Sequence, residues 1–209
     1  MAIFVNAKEL RARLKKLSVP YSEELGIDVM TPQGRFRWLL ASVLFGKRIS
    51  ASIATRTYAQ FSKAGITSPA KILEAGWDRL VEILDAGGYV RYDFSTADRL
   101  LAIAEKLIRE YGGRVDEIHR KAADSRDLER RLKEFPGIGD VTANIFLREL
   151  RTAWKKADPE PSQLVRRTAA RFGVKLPDNR HSVAFVRLEA GLTRLAMEIR
   201  RKRKRSSLR

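Results

Sequence analysis

The fold is decided by the stretch Leu132-Lys133-Glu134-Phe135-Pro136-Gly137-Ile138-Gly139-Asp140-Val141-Thr142-Ala143-Asn144. Its pattern predicts a helix, a tight turn at Pro-Gly-Ile-Gly and a second helix over 141–150. Gly137 and Gly139 can adopt positive φ and allow close approach of another backbone. The turn would present backbone N–H groups at the start of the second helix, an arrangement that suits a phosphate oxygen. A plain helix–helix turn with capping glycines is the alternative interpretation.

The charge of the chain points to a polyanionic partner. Forty-two Lys and Arg residues against 25 Asp and Glu residues give the 209-residue chain a net charge of +17. Such a balance favours nucleic acid and predicts an affinity that falls with salt. No apolar run is long enough to span a bilayer, so we expect a cytoplasmic protein with no membrane partner.

The residue types of the chain exclude several classes of chemistry. It has no cysteine, which excludes disulfides, thiol nucleophiles and iron–sulfur ligation. Only His119 and His181 carry imidazole, and their spacing fits no metal site. We therefore expect neither a metal nor another cofactor.

Apolar periodicity predicts helices and no strand, so the expected fold class is all-α. The segment 35–45 is apolar nearly all round, which indicates a buried central helix. Asn6 is expected to cap a first helix over 7–16. The last helix is expected to begin at Asn179 or Arg180 and to end in a frayed basic tail, 200–209.

The central stretch resembles the helix-hairpin-helix of the endonuclease III-like DNA glycosylase superfamily. The likeness extends from about residue 31 to residue 173 and includes the family's earlier helices and turns, at 36–45, 49–61, 68–73, 80–84, 87–89, 95–101 and 112–115. It implies a two-lobed helical fold with a DNA-binding cleft between the lobes. One lobe would be 30–132, and the other would join 1–29 to 133–199 with the helix-hairpin-helix at 133–150.

The resemblance also implies a catalytic carboxylate in the loop after the hairpin, where it would stabilise positive charge on the sugar. Counting back from Leu164-Val165-Arg166 places Pro161 at the family's Asp, whereas the spacing from the hairpin falls between Asp158 and Glu160. These two residues are the catalytic candidates, with Asp158 slightly favoured. Both could instead be solvated loop charges.

Bifunctional members of the superfamily carry a nucleophilic lysine two residues after the second hairpin glycine. This chain has Val141 at that position. Valine cannot form a Schiff base, so the pattern is closer to that of monofunctional members, and lyase activity is not expected.

The resemblance assigns further residues to DNA. Lys47 and Arg48 occupy the family's duplex-penetrating loop, where they could enter a groove or contact phosphate. The hairpin would contribute Pro136, Gly137, Ile138, Gly139, Val141 and Thr142. The base pocket would be built from aromatic side chains, each of which is singly more often a core residue than a pocket residue, namely Trp38, Tyr89, Tyr92 and Trp154.

Taken together, the sequence predicts a monomeric, monofunctional DNA glycosylase of base excision repair, which removes a damaged base from double-stranded DNA. A non-catalytic member that recognises damaged or bent DNA is the chief alternative, because Val141 and Pro161 stand at two key positions. A basic structural or interaction protein is a third possibility if the hairpin is coincidental.

Overall fold

The fold class is all-α, as the sequence predicts. The computed structural model describes residues 7–206, with side chains up to residue 202, and within that range it contains helices and no strand. The helices are α1 Ala7–Leu17, α2 Tyr21–Glu24, α3 Pro32–Phe45, α4 Ala51–Lys63, α5 Pro69–Ala86, α6 Asp93–Tyr111, α7 Asp116–Lys121, α8 Ser125–Lys133, α9 Asp140–Arg148, α10 Gln163–Arg171 and α11 Val183–Ser206. Asn6, the predicted cap of the first helix, lies outside the described residues.

Short polar side chains define where five of these helices begin. Each accepts a hydrogen bond from a backbone N–H of the first turn, which satisfies a donor that the helix cannot pair internally. These N-cap residues of α3, α4, α5, α8 and α10 are Thr31, Ser50, Ser68, Asp124 and Ser162.

Helix α5 contains a kink at Gly76. The sequence favours two short helices, 68–73 and 80–84, and the structure joins them into one element with φ 70° and ψ 176° at this glycine. Because L-residues rarely adopt such a φ, glycine permits the change of direction. Trp77 follows directly after the kink.

The chain divides into two compact units, and their boundaries differ from the expected lobes. The central unit contains residues 25–159, and the terminal unit joins 1–24 to 160–209. The helix–turn–helix of α8 and α9 belongs to the central unit, because α8 packs on α7 and α9 packs on α3. The expectation that it joins the N-terminal and C-terminal segments is therefore corrected.

Helix α3 forms the core of the central unit. Trp38, Leu39, Leu40 and Leu44 on this helix are each at most 2% exposed, as expected for a helix that is apolar nearly all round. It packs against α4 and α9, while α5 packs against α6. The Trp38 indole N–H donates to the carbonyl of Phe146 at 3.0 Å, which fixes α9 on α3.

In the terminal unit, α1 and α10 both pack against α11. Leu10 of α1 clusters with Leu195 and Ile199 of α11. Helix α11 runs to Ser206, so residues 200–206 continue the helix, contrary to the expected frayed tail. Residues 207–209 lie outside the described residues.

Candidate nucleic-acid interface

Residues 134–139 connect α8 to α9 as a turn that is anchored by apolar side chains and exposes its backbone. Phe135 and Ile138 are only 1% and 3% exposed. The Phe135 ring stacks on Tyr111, with ring centroids 5.7 Å apart. Pro136, Gly137 and Gly139 are exposed. The turn is therefore anchored by its buried side chains, while the backbone on its outer surface stays accessible.

The start of α9 differs from the capped starts described above. Its N-cap is Gly139, which has no side chain to accept a hydrogen bond. Within the described range, the backbone N–H groups of Gly139, Asp140 and Val141 have no acceptor. Unpaired donors at a helix start, together with the helix dipole, favour an anion.

An ion pair closes the two ends of this turn. The Lys133 Nζ lies 2.6 Å from Oδ1 of Asp140. This hydrogen bond raises the pKa of the Lys133 ammonium. Since the Asp140 side chain is 87% exposed, the pair can open when a stronger anion arrives.

The side chain of Arg99 from α6 lies directly beneath the turn. Gly137 has φ +79°, and a Cβ added there would collide with the aliphatic part of Arg99. Only glycine allows both this backbone conformation and this close approach. Arg99 is therefore a site residue that the sequence analysis missed.

Lys47 and Arg48 lie on the connection between α3 and α4, which also reaches the start of α9. A Cβ added at Gly46 would collide with the Thr142 hydroxyl, so this connection packs on the first turn of α9. Partial burial, and then the neighbouring Arg99 charge, lower the pKa of the Lys47 ammonium. Arg48 is exposed.

Neither Lys47 nor Arg99 has a carboxylate partner in the part of the chain that the structure describes. Two unpaired cations therefore lie close together beside a turn with unpaired N–H donors. We call this surface the hairpin face: Lys47, Arg48, Arg99, the exposed turn residues and the start of α9. Its chemistry is that of an anion-binding site.

Two of the predicted hairpin contacts are internal. Ile138 is 3% exposed and Thr142 is 5% exposed, so their side chains pack within the protein. Contact to DNA through these two side chains is therefore corrected, whereas contact through their backbone stays a prediction. Val141, at 63% exposed, presents an apolar side chain on the hairpin face.

Three of the four predicted pocket aromatics are core residues. Trp38, Tyr89 and Trp154 are at most 3% exposed, so they offer no open surface to a flipped base. The Tyr89 hydroxyl donates to the carbonyl of Leu44 at 2.7 Å, and burial raises the pKa of this phenol. Tyr92 stays partly exposed. A depression of about 340 Å³ along α4 and α5 contains none of these four residues.

The two candidate catalytic carboxylates are both ion-paired with arginine. Asp158 Oδ1 lies 2.5 Å from Nη1 of Arg151, whose side chain is fully buried, and the Asp158 side chain is 23% exposed. Glu160 belongs to the terminal unit, with Oε1 2.7 Å from Nη1 of Arg180 and Oε2 3.8 Å from Nη1 of Arg166. Both carboxylates therefore have structural roles in addition to any chemistry.

The segment that leads to Asp158 is held by a polar cluster. The rings of His119 and Trp154 stack with centroids 4.9 Å apart and an interplanar angle of 10°. The Lys156 backbone N–H donates to Nε2 of His119 at 3.4 Å. Asp116 accepts the Trp154 indole N–H at 3.1 Å and pairs with Arg35. These contacts fix residues 154–156 on α7.

Comparisons of the chain with protein-family models, curated proteins and solved structures find no match. Among the described residues, no group of three His, Asp or Glu side chains is arranged to hold a metal ion. In the same range, no helix has both the length and the apolar character that crossing a bilayer requires.

The substitution Gly137→Ala should destabilise the protein by about 1–3 kcal/mol, because alanine would strain the backbone and collide with Arg99. Gly139→Ala is the matched control, since its φ is −99° and an added Cβ meets no atom within 4 Å. The control should stay within about 0.5 kcal/mol of the wild type. Urea unfolding of both variants checks this; equal losses would contradict the packing of Gly137 on Arg99.

Protonation of His119 should destabilise the fold as the pH falls. Burial, and then the Lys156 charge, lower the pKa of His119 from 6.5. The unfolded chain therefore takes up the proton more readily, and this contribution to stability is present above about pH 6.5 and lost below it. Thermal unfolding between pH 7.5 and 5 should show a smaller decrease for His119→Gln than for the wild type. His181→Gln is the control, and equal decreases for His119→Gln and the wild type would contradict the assignment.

Proposed function

We propose that the protein binds double-stranded DNA through the hairpin face. The observation that carries this proposal is the pair of unpaired cations, Lys47 and Arg99, beside the uncapped start of α9. A phosphate at this point accepts hydrogen bonds from backbone N–H groups and faces two positive side chains. The electrostatic repulsion between these two side chains is offset when the phosphate binds.

A polymer fits the hairpin face better than a small anion does. The net charge of +17 attracts a polymer with many phosphates more strongly than it attracts a single anion. Arg48 and the exposed Val141 extend the surface beside the first phosphate. Arg48 would reach a second phosphate or a groove, and Val141 would pack on the apolar part of a sugar.

The reaction assigned to this DNA-binding protein is hydrolysis of the N-glycosidic bond of a damaged base, as the resemblance to endonuclease III-like glycosylases implies. Asp158 is the better candidate carboxylate, because it lies in the same compact unit as the hairpin and its side chain is partly exposed. It would stabilise the positive charge that develops on the sugar as the base leaves. Val141 at the lysine position supports a route without a Schiff base.

A non-catalytic DNA-binding protein is the second candidate function, and specific observations favour it. Both candidate carboxylates are paired with arginine, which reduces the negative charge that they offer to a sugar. Trp38, Tyr89 and Trp154 are buried, so they do not form an open pocket for a base. In this case the hairpin face would recognise bent or damaged DNA without breaking a bond.

Replacing Lys47 or Arg99 by Gln should weaken binding to duplex DNA. Each substitution should also reduce the slope of log K against log salt by about 0.9, as expected for one lost phosphate contact. Fluorescence anisotropy at several salt concentrations measures both quantities. Lys63→Gln, at the far end of α4 from Lys47 and Arg48, removes the same charge and is the matched control. If all three variants lose the same affinity and slope, binding is not centred on the hairpin face.

Base release should be detected on at least one lesion among hypoxanthine, uracil, 8-oxoguanine and an alkylated purine, and strand cleavage should require hot alkali. Asp158→Asn should reduce the rate by at least about 100-fold while DNA affinity is kept, because the carboxylate acts only on the developing charge. Glu160→Gln serves as the matched control. Cleavage without alkali would contradict the assignment of Val141, whereas binding of all these duplexes without base release would favour the non-catalytic function.

A further inference from the structure

A pair of aromatic side chains is exposed on the central unit, away from its core. Trp77 of α5 is 38% exposed and Phe94 of α6 is 58% exposed. Their rings contact each other, with centroids 5.2 Å apart and an interplanar angle of 39°. The other two tryptophans, Trp38 and Trp154, are buried. Exposed aromatic surface of this kind is typical of contact sites.

Carboxylates surround this aromatic pair. Asp98 Oδ1 accepts the Trp77 indole N–H at 2.8 Å, and Asp93 Oδ1 accepts the backbone N–H of Phe94 at 2.7 Å. Asp85 lies close to Asp93, and desolvation followed by this neighbouring carboxylate raises the pKa of Asp85. We call these five residues the acidic aromatic patch.

The acidity of this region contrasts with the rest of the chain. Residues 73–98 contain six acidic and only two basic residues, within a protein of net charge +17. Elsewhere, carboxylates such as Glu117 and Asp127 are paired with arginine. In the part of the chain that the structure describes, Asp85, Asp93 and Asp98 are not paired with any Lys or Arg. Their charge is therefore available to a cation from outside.

The acidic aromatic patch and the hairpin face lie on different sides of α6. Phe94 and Asp98 are four residues apart and share one side of the helix. Arg99 is five residues after Phe94, which places it about 140° away around the helix axis. The carboxylates of the patch would repel phosphates, whereas the hairpin face attracts them. The two surfaces thus have opposite ligand preferences.

We propose that the acidic aromatic patch docks an arginine- and lysine-rich segment of a partner protein. Guanidinium groups would stack on the exposed rings of Trp77 and Phe94 and pair with the unpaired aspartates. Leucine-sized side chains of the segment would cover the remaining apolar surface. This interaction goes beyond DNA binding and does not depend on it.

The test is a titration of the full-length protein with a peptide of alternating arginine and leucine, labelled for fluorescence anisotropy. Because Trp77 is the exposed tryptophan, acrylamide quenching reports on this patch. The peptide should bind and protect Trp77 from quenching. A matched peptide with glutamate in place of arginine should leave the quenching of Trp77 unchanged, even where it binds the basic surfaces of this chain.

Two variants separate the charge from the aromatic surface. The double variant Asp93→Asn and Asp98→Asn, and the variant Phe94→Ser, should each bind the arginine peptide at least about tenfold more weakly. Asp178→Asn, an exposed carboxylate of the terminal unit, is the matched control and should bind as the wild type does. Circular dichroism checks that each variant is folded.

The proposal is overturned if the glutamate peptide protects Trp77 equally well, or if both patch variants keep wild-type affinity for the arginine peptide. It is also overturned if duplex DNA, and not the peptide, protects Trp77, because the patch would then belong to the nucleic-acid interface. The same variants are titrated with DNA in parallel. If DNA does not bind to the hairpin face, the peptide titration still tests the acidic aromatic patch. The two proposals can therefore be contradicted independently of each other.

Discussion

The structure of the central unit depends on the packing of α3 against α9 around Trp38. The indole is fully buried, and its N–H donates to the carbonyl of Phe146 on a helix that lies 108 residues further along the chain. A buried N–H without an acceptor would cost roughly 1–3 kcal/mol, so this bond sets both the depth and the rotation of α9. The turn before α9 therefore has a defined position, with Gly137 over Arg99 and Thr142 against Gly46.

Positive and negative side chains of the central unit are concentrated on separate surfaces. On one side of α6, Arg99 joins Lys47 beside uncapped N–H donors, and the pKa of Lys47 is lowered there. Toward the other side, Phe94 and Asp98 belong to a surface of unpaired aspartates and exposed rings. The concentration of these charges on two surfaces, with opposite signs, is the observation from which both binding proposals are argued.

The proposed base-excision reaction is supported by fewer observations than the proposed binding of DNA. Asp158 is the stronger candidate carboxylate, yet a fully buried arginine holds it and the stacked rings of His119 and Trp154 fix the segment before it. Such rigidity suits a catalytic group that must be positioned before the substrate arrives. It suits a structural ion pair equally well. Measured base release, with DNA affinity followed in the same variants, separates the two roles.

The sequence by itself determined the helical class, the buried helix α3, the turn after α8 and the net positive charge, because periodicity, capping residues and net charge are local or additive properties. The boundaries of the two units differ from the sequence prediction, since they depend on which helices pack together. The tertiary structure alone decided that Trp38, Tyr89 and Trp154 are core residues and that Arg99 lies beneath Gly137. Burial and proximity arise from contacts between segments far apart in the chain, and no local pattern encodes them.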